Sequence, residues 1–265
     1  MNDDKVNDYV IYGDAVKALS TLPDESIHLT FTSPPYYNAR EYSQYDSYAD
    51  YLNILKNIFI QVYRLTKEGR FLVVNTSPVL VPRIDRQHQS KRLAIPFDLN
   101  TIITDIGFDF IDDIIWKKPE ASVKNRNGQF LQNRKPLAYK PNAVTEYVMV
   151  YRKHTDKLID WNINGYDDKT IEESKIEGDF ESTNVWKITP AKNKHHPAVF
   201  PEDLCQKIIR YYSFKGDVVL DPFAGSGTVG RVASQYDRHY ILVEKEQKYI
   251  DYIMKSLPQS ILKNN

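Results

Sequence analysis

Asp217-Val218-Val219-Leu220-Asp221-Pro222-Phe223-Ala224-Gly225-Ser226-Gly227-Thr228 is the stretch from which the fold is read. Val218-Val219-Leu220 is a short apolar run between acids, the pattern of a buried strand. Pro222 ends its pairing, and the pattern from 228 to 236 is helical. The turn between them holds two glycines, which accept positive φ and let a ligand come close to the backbone. Peptide N–H groups at the start of the following helix are free to meet such a ligand. By spacing, Gly225, Gly227 and Gly230 satisfy G-x-G-x-x-G, and a Walker-type phosphate loop fits worse because no Lys follows the last glycine. A carboxylate at Asp221 would repel a pyrophosphate and attract a cationic amino group. Glu244, ending the next strand, can accept hydrogen bonds from two ribose hydroxyls. An acid, a glycine turn and a second acid together suit a nucleoside that carries a cation.

Working outward, strands and helices alternate. Strand patterns fall at 9–12, 27–32, 70–75, 110–116, 146–151, 217–221 and 238–244, and helical ones at 15–19, 48–65, 98–105, 201–212 and 228–236, with a closing helix to about 257. Gly69 reads as the cap of the 48–65 helix, residues 77–96 as a loop, and 263–265 as a frayed tail. Buried strands alternating with helices argue an α/β fold with a doubly wound, mostly parallel sheet. Ligands then gather at the carboxyl ends of the strands. Two loops stand there, one after Leu220-Asp221 and the other, Ser33-Pro34-Pro35-Tyr36, after the strand that ends at Thr32.

Composition narrows the function. A chain of 265 residues suits one large α/β domain. No run of about 18 apolar residues predicts a membrane span, and no apolar segment follows basic residues at the N-terminus, so a cytoplasmic location is expected. The single cysteine, Cys205, excludes an internal disulfide and a cysteine-built metal cage. His195-His196 lacks acid or cysteine partners, so no metal site is expected. Lysine plus arginine equals aspartate plus glutamate at 35 each, which excludes a uniformly basic nucleic-acid binder but allows a local patch. Residues 117–140 carry Lys117, Lys118, Lys124, Arg126, Arg134, Lys135 and Lys140 against Glu120 alone, whereas 156–181 is dominated by acids. One face for phosphates and another for solvent fits this division.

The motifs resemble those of a known family. Asp221-Pro222-Phe223-Ala224-Gly225-Ser226-Gly227-Thr228 looks like the S-adenosylmethionine-binding motif of amino-methylating DNA methyltransferases. Thr32-Ser33-Pro34-Pro35-Tyr36 looks like their catalytic motif, [DNS]-P-P-[YFW]. The catalytic motif comes first, the order of the β subgroup of restriction-modification enzymes. Ile11-Tyr12-Gly13-Asp14, Ile115-Trp116-Lys117-Lys118-Pro119 and His196-Pro197-Ala198-Val199-Phe200-Pro201 resemble further landmarks in the expected order. The resemblance implies one catalytic domain over 1–265 with a sheet of the S-adenosylmethionine-dependent methyltransferase type. It implies that Asp14, Thr32, Pro197, Phe200, Pro201, Asp221 to Thr228 and Glu244 surround the cofactor, and that Ser33, Pro34, Pro35 and Tyr36 carry the reaction.

The chemistry of that loop can be derived. The lone pair of an exocyclic base amine is conjugated into the ring. Acceptors that bind its two N–H groups localise that pair, and the Ser33 hydroxyl and the Pro34 carbonyl are candidates, the latter held rigid by two prolines. Tyr36 offers a face for a base flipped out of the duplex. No covalent intermediate is needed. Methylation at cytosine carbon 5 resembles another family, one that uses a cysteine after proline, whereas Cys205 follows Leu204 on a helix and reads as a small buried hydrophobe. Within the resembling family Ser at the first motif position accompanies N4-cytosine and Asp accompanies N6-adenine. A hydroxyl can also donate to cytosine N3, which an ionised Asp cannot. The expectation is therefore N4-cytosine, with N6-adenine as the alternative. An RNA or protein amine methyltransferase and an NAD-dependent oxidoreductase are further readings, the last of which leaves Ser33 to Tyr36 without a task.

Double-stranded DNA is the expected partner. Two loops, 77–96 and 117–141, have the side chains to touch it: Arg83, Arg86, Lys91 and Arg92 in the first, Lys124, Arg126, Arg134 and Lys135 in the second. The 152–185 insertion stands where β-group enzymes carry target recognition, but it is short and acidic. The basic loops are therefore expected to do more of the contact. A cognate restriction endonuclease and a homodimeric assembly are the protein partners this class admits.

Overall fold

The computed structural model describes residues 8–37, 45–81, 85, 87, 90–123, 136–139, 141–178, 180–191 and 201–265. Its strands are β1 (Tyr9–Tyr12), β2 (Ile27–Thr32), β3 (Thr66–Thr76), β4 (Val79–Val81), β5 (Lys91–Leu93), β6 (Phe108–Lys117), β7 (Thr145–Lys153), β8 (Val185–Lys187), β9 (Val218–Asp221), β10 (His239–Glu244) and β11 (Ile261–Asn264). Its helices are α1 (Ala15–Ser20), α2 (Tyr48–Leu65), α3 (Ile95–Ile106), α4 (Ile159–Ile163), α5 (Asp168–Glu173), α6 (Glu202–Tyr212), α7 (Thr228–Gln235) and α8 (Gln247–Ser256).

Nine strands form one sheet in the order β11-β1-β10-β9-β2-β3-β7-β6-β8, and all but β7 run in the same direction. Both faces are covered, so the central strands are apolar at successive positions. Val219 and Leu242 face a core with Leu204, Ile208, Val229 and Ile253 from α6, α7 and α8. Their neighbours Val218, Leu220, Ile241 and Val243 face the opposite core with α1, α2 and α3. In α2, Tyr51, Leu55, Ile58, Phe59, Val62 and Leu65 make the buried stripe, and Ser47 caps the start by accepting from the Asp50 amide. The mostly parallel, doubly wound sheet is as expected.

The connections leave the sheet centre in opposite directions. From β2 the chain passes through α2 to β3, and from β9 through α7 to β10, on the other side. Neighbouring β2 and β9 are thus the topological switch point, where sheets of this kind open a crevice at their carboxyl ends.

Three expectations need correction. Gly69 does not cap α2: the helix ends at Leu65, Thr66 is its C-cap, and the chain enters β3 at once. Gly69 sits within β3 at φ 68°, where an added Cβ would meet Asn162 Oδ1 at 2.6 Å. The tail is not frayed, because Ile261–Asn264 pairs with β1 as an edge strand. The 77–96 segment is not all loop, since β4 and β5 pair antiparallel and present Lys91 and Arg92 exposed. The 152–185 insertion holds α4 and α5, bound to the amino end of the sheet. Arg152 donates to Gly69 O and Asn162 Oδ1, Asn162 Nδ2 donates to Glu68 O, and Tyr166 OH donates to the buried Asp217 carboxylate. Among the described residues no helix is long and apolar enough to cross a membrane.

Candidate active site at the switch point

The last residues of β2 and β9 meet through their side chains. Thr32 Oγ1 donates to Asp221 Oδ1 at 2.7 Å, and the Phe223 amide donates to the same oxygen at 3.0 Å. Thr32 and Asp221 are 0% and 1% exposed. Burial pushes the Asp221 carboxyl up to about 7, against the Thr32 and Phe223 hydrogen bonds and with help from the Glu244 charge. Its hydrogen-bond donors here are neutral. A buried carboxylate held by a hydroxyl and an amide is ready for a cationic ligand group.

The glycine turn folds over that acid. Gly225 and Gly227 take positive φ, 51° and 75°, and the Gly227 amide closes the turn onto Ala224 O at 2.8 Å. Arg231 from α7 clamps it, donating to Ser226 O at 2.6 Å and to Thr228 Oγ1 at 3.2 Å. At the end of the adjacent β10, the Glu244 carboxylate accepts from the amides of Gly225, Lys245 and Glu246 at 2.8–2.9 Å. Burial raises the Glu244 pKa. Asp14 stands next to it: Tyr12 pairs with Glu244, the Gly13 amide donates to Glu244 O, and Asp14 caps α1. Asp14, just after β1, and Asp221 and Glu244, at the ends of β9 and β10, therefore stand at one end of the crevice. Two largely buried carboxylates beside a glycine turn make an acceptor set that fits a cationic nucleoside such as S-adenosylmethionine.

The Ser33 to Tyr36 loop leaves β2 on the other side of the crevice. Pro34 is buried. Tyr36 OH donates to Glu146 Oε2 at 2.8 Å, and burial together with the Glu146 charge raises the phenol well above its ordinary pKa. Asn75, near the end of β3, donates Nδ2 to Glu146 Oε2 at 2.9 Å and, at a long 3.5 Å, to Ser33 Oγ. Lys118 donates to the other Glu146 oxygen. Beyond the loop Tyr37 packs against Tyr45, Tyr48 and Tyr51, with ring centroids 5.4–6.2 Å apart. Some of the chain's 19 tyrosines therefore fasten this loop to α2.

The structure brings together Asp14, Thr32, Ser33, Pro34, Pro35, Tyr36, Asp221 to Thr228 and Glu244 at the carboxyl edge. Pro201, buried, is the N-cap of α6. Pro197, Phe200, Arg83, Arg86, Lys124, Arg126, Arg134, Lys135, His195 and His196 lie outside the described residues. Cys205 is fully buried on α6, and burial raises its thiol pKa. Sequence reasoning missed Asn75, Glu146 and, as part of this site, Lys118. The available signal was polarity: Asn75 and Glu146 bound the apolar runs 71–74 and 147–151.

The family model for DNA methylases matches residues 27–255, nearly the whole sheet and both motif loops. The type II methyltransferase M.Cfr9I of Citrobacter freundii is 30% identical over 278 residues, covering 92% of this chain and 86% of its own. TTHA0409 of Thermus thermophilus, assigned as a DNA modification methylase and solved in complex with S-adenosyl-L-methionine, superposes with a TM-score of 0.76 at 25% identity over 97% of both chains. The cytosine-N4-specific PvuII DNA methyltransferase shares the fold, with a TM-score of 0.66 at 20% identity over 97% of this chain and 96% of its own. The chain belongs to the N6/N4 DNA methylase family. It is thus a DNA amino-methyltransferase with S-adenosylmethionine as methyl donor.

Proposed function

We propose that the protein methylates the exocyclic N4 of cytosine, flipped out of double-stranded DNA at a specific sequence. The observation that carries the choice of base is Ser33 itself, at the first position of the Ser33-Pro34-Pro35-Tyr36 motif. Its oxygen faces the Asn75 amide as an acceptor, and a hydroxyl still has a proton to give. Cytosine N4 beside N3 and adenine N6 beside N1 would both suit such a hydroxyl, so the preference for cytosine comes from the resemblance, in which Ser at this motif position accompanies N4-cytosine.

In this reading Ser33 Oγ and the Pro34 carbonyl take the two amine N–H groups and draw the nitrogen toward tetrahedral geometry. The Tyr36 ring supports the base face, worth about 1–3 kcal/mol of stacking. Asp221 holds the donor's amino cation, Glu244 its ribose hydroxyls, and Asp14, Pro197, Phe200, Pro201 and the glycine turn enclose the rest. When bound, the donor supplies an electrophilic methyl on a sulfonium. The protein supplies placement, which carries much of the rate.

DNA contact falls to the 77–96 and 117–141 loops of a single catalytic domain. The α4–α5 part of the 152–185 insertion is tied to the amino end of the sheet, while the reacting loop lies at the carboxyl end. Along β9, Asp217 and Asp221 are separated by about 13 Å of strand. A restriction endonuclease that cuts the same site is the partner this activity serves. Nucleoside analysis of DNA methylated by the purified enzyme tests the choice of base. N4-methylcytosine is the expected product, and N6-methyladenine alone would overturn the choice.

A further inference from the structure

We propose that Glu146 is a positioning residue for methyl transfer: its buried carboxylate sets both the Tyr36 ring and the Asn75 amide at the reacting loop. The inference rests on the reading of Tyr36 as the support for the target base.

The geometry follows from strand direction. β7 is the one strand of the large sheet that runs against the others, so its first residues stand where its neighbours end. Glu146, its second residue, is paired with Trp116 of β6, and Val148 is paired with Asn75 of β3. Glu146 is 9% exposed and thus meets its partners largely out of water. Three donors converge on it: the Tyr36 hydroxyl and Asn75 Nδ2 on Oε2, and Lys118 Nζ on Oε1. Lys118 also stands 4.6 Å from the Trp116 ring centroid, so its own position is fixed by packing.

Only a carboxylate can take all three. A glutamine has one acceptor oxygen and would turn an NH2 toward either Lys118 or Asn75, both donors. The arrangement also orients the Asn75 amide, because a carboxylate accepts only from its nitrogen. Asn75 Oδ1 is then a buried oxygen without a hydrogen-bond partner among the described residues. An acceptor held unsatisfied beside Ser33 is costly in isolation and is kept by the Glu146 contact. Glu146 thereby fixes the phenol at one end of the loop and the amide next to Ser33 at the other.

The test is a double-mutant cycle between Glu146→Ala and Tyr36→Phe, reading kcat and KM separately for DNA and S-adenosylmethionine. Glu146→Ala is expected to lower kcat about a hundredfold, the scale of a small misplacement at a reacting centre, with KM for S-adenosylmethionine within about twofold. Adding Tyr36→Phe to it should cost little more, because both remove one link. Glu146→Gln combined with Lys118→Met removes the competing donor and should recover most of the activity lost in Glu146→Gln alone. This pair also serves if the alanine variant fails to fold. An unchanged kcat in Glu146→Ala, multiplicative losses in the cycle, or no recovery in the Gln/Met pair would overturn the inference. Tyr36→Ala separates the two readings. If it retains full kcat, the base-support reading itself fails. If it is inactive while Tyr36→Phe is unaffected, the support stands and the Glu146 link is rejected.

Discussion

The hydroxyl of Thr32 and the carboxylate of Asp221 are joined by a 2.7 Å hydrogen bond across 189 positions of sequence. This bond links the catalytic motif to the cofactor motif at the switch point, so the order of the motifs along the chain has no bearing on their contact in space. It also fixes what removal of either group should do. Asp221→Asn keeps an oxygen for Thr32 and Phe223 but removes the charge. Loss of one charge-assisted bond, roughly 1.5–3 kcal/mol, predicts S-adenosylmethionine affinity weaker by about ten- to a hundredfold, measured by calorimetry. Thr32→Val leaves the charge and removes a donor, so its effect should be smaller.

The same carboxyl predicts a pH dependence. With its pKa pushed up to about 7, Asp221 must lose a proton to hold an amino cation. Affinity for S-adenosylmethionine should fall as pH drops through 7, and binding near that pH should release a proton. Calorimetry in buffers of different ionisation enthalpy reads both, and Asp221→Asn should flatten the profile. In the ligand-free protein the sign is opposite. The folded state favours the protonated acid, so this group's contribution to stability is complete below its unfolded value of 3.8 and is lost as pH rises through about 7. Asp221→Asn should therefore melt no lower than the parent at pH 8. A lower melting temperature would mean that the charge is compensated in the fold.

The glycines separate by role. Gly227 at φ 75° also lies where a Cβ would come within 2.9 Å of Ile253 Cγ1, and a Cβ on Gly230 would come within 2.6 Å of Leu242 Cδ1. Gly230 therefore keeps α7 close to β10, a packing function. Gly230→Ala should lose about 1–3 kcal/mol of unfolding free energy in urea, with S-adenosylmethionine affinity nearly intact in the folded fraction. Gly227→Ala should lose both, because strain there reshapes the turn itself.

These residues also show which parts of the fold and site could be read beforehand. Asp221, Glu244 and the Ser33 to Tyr36 loop were legible because each ends an apolar strand, and parallel sheets collect strand ends at one edge. Glu146 was not, since its place at that edge depends on β7 running backwards, a fact of pairing and not of local pattern. The edge strand β11 escaped because all four of its side chains are exposed and backbone pairing, with Lys263 over the Tyr9 ring, joins it to β1. The insertion escaped for a related reason: single polar side chains such as Arg152, Asn162 and Tyr166 hold it, with no apolar period to announce them.

His28 makes the amino end of the sheet sensitive to acid. Burial lowers its pKa to about 4, with Lys67 and Arg70 adding to the effect and Asp217 opposing it. Its ring nitrogen accepts from the Val218 amide at 3.0 Å, which requires that nitrogen to be unprotonated. A depressed pKa means that the unfolded chain takes up the proton first. Stability is thus complete above about 6.5 and falls as pH is lowered toward 4, by up to roughly 3 kcal/mol. Urea unfolding at pH 7.5, 5.5 and 4.5 should show this loss, and His28→Gln should reduce it. An equal loss in the variant would assign the acid sensitivity to other groups.

The two ends of the sheet predict different consequences for DNA. Tyr166 OH joins the insertion to Asp217 and receives Arg70 Nη1 at 2.7 Å. Removing that hydroxyl with Tyr166→Phe should cost about 1 kcal/mol of stability and leave KM for DNA unchanged, because α4, α5 and Tyr166 are held away from the reacting edge. Replacing Lys91 and Arg92 on the β4–β5 hairpin with Ala should leave the melting temperature within a degree or two. It should weaken DNA binding across sequences and lower the salt slope by about one for each phosphate the variant no longer neutralises. The same weakening is expected from alanines at Lys124, Arg126, Arg134 and Lys135 together. Binding isotherms at several salt concentrations distinguish the cases. A normal salt slope in both sets of basic-loop variants, with weakened binding in Tyr166→Phe, would move the DNA interface to the insertion.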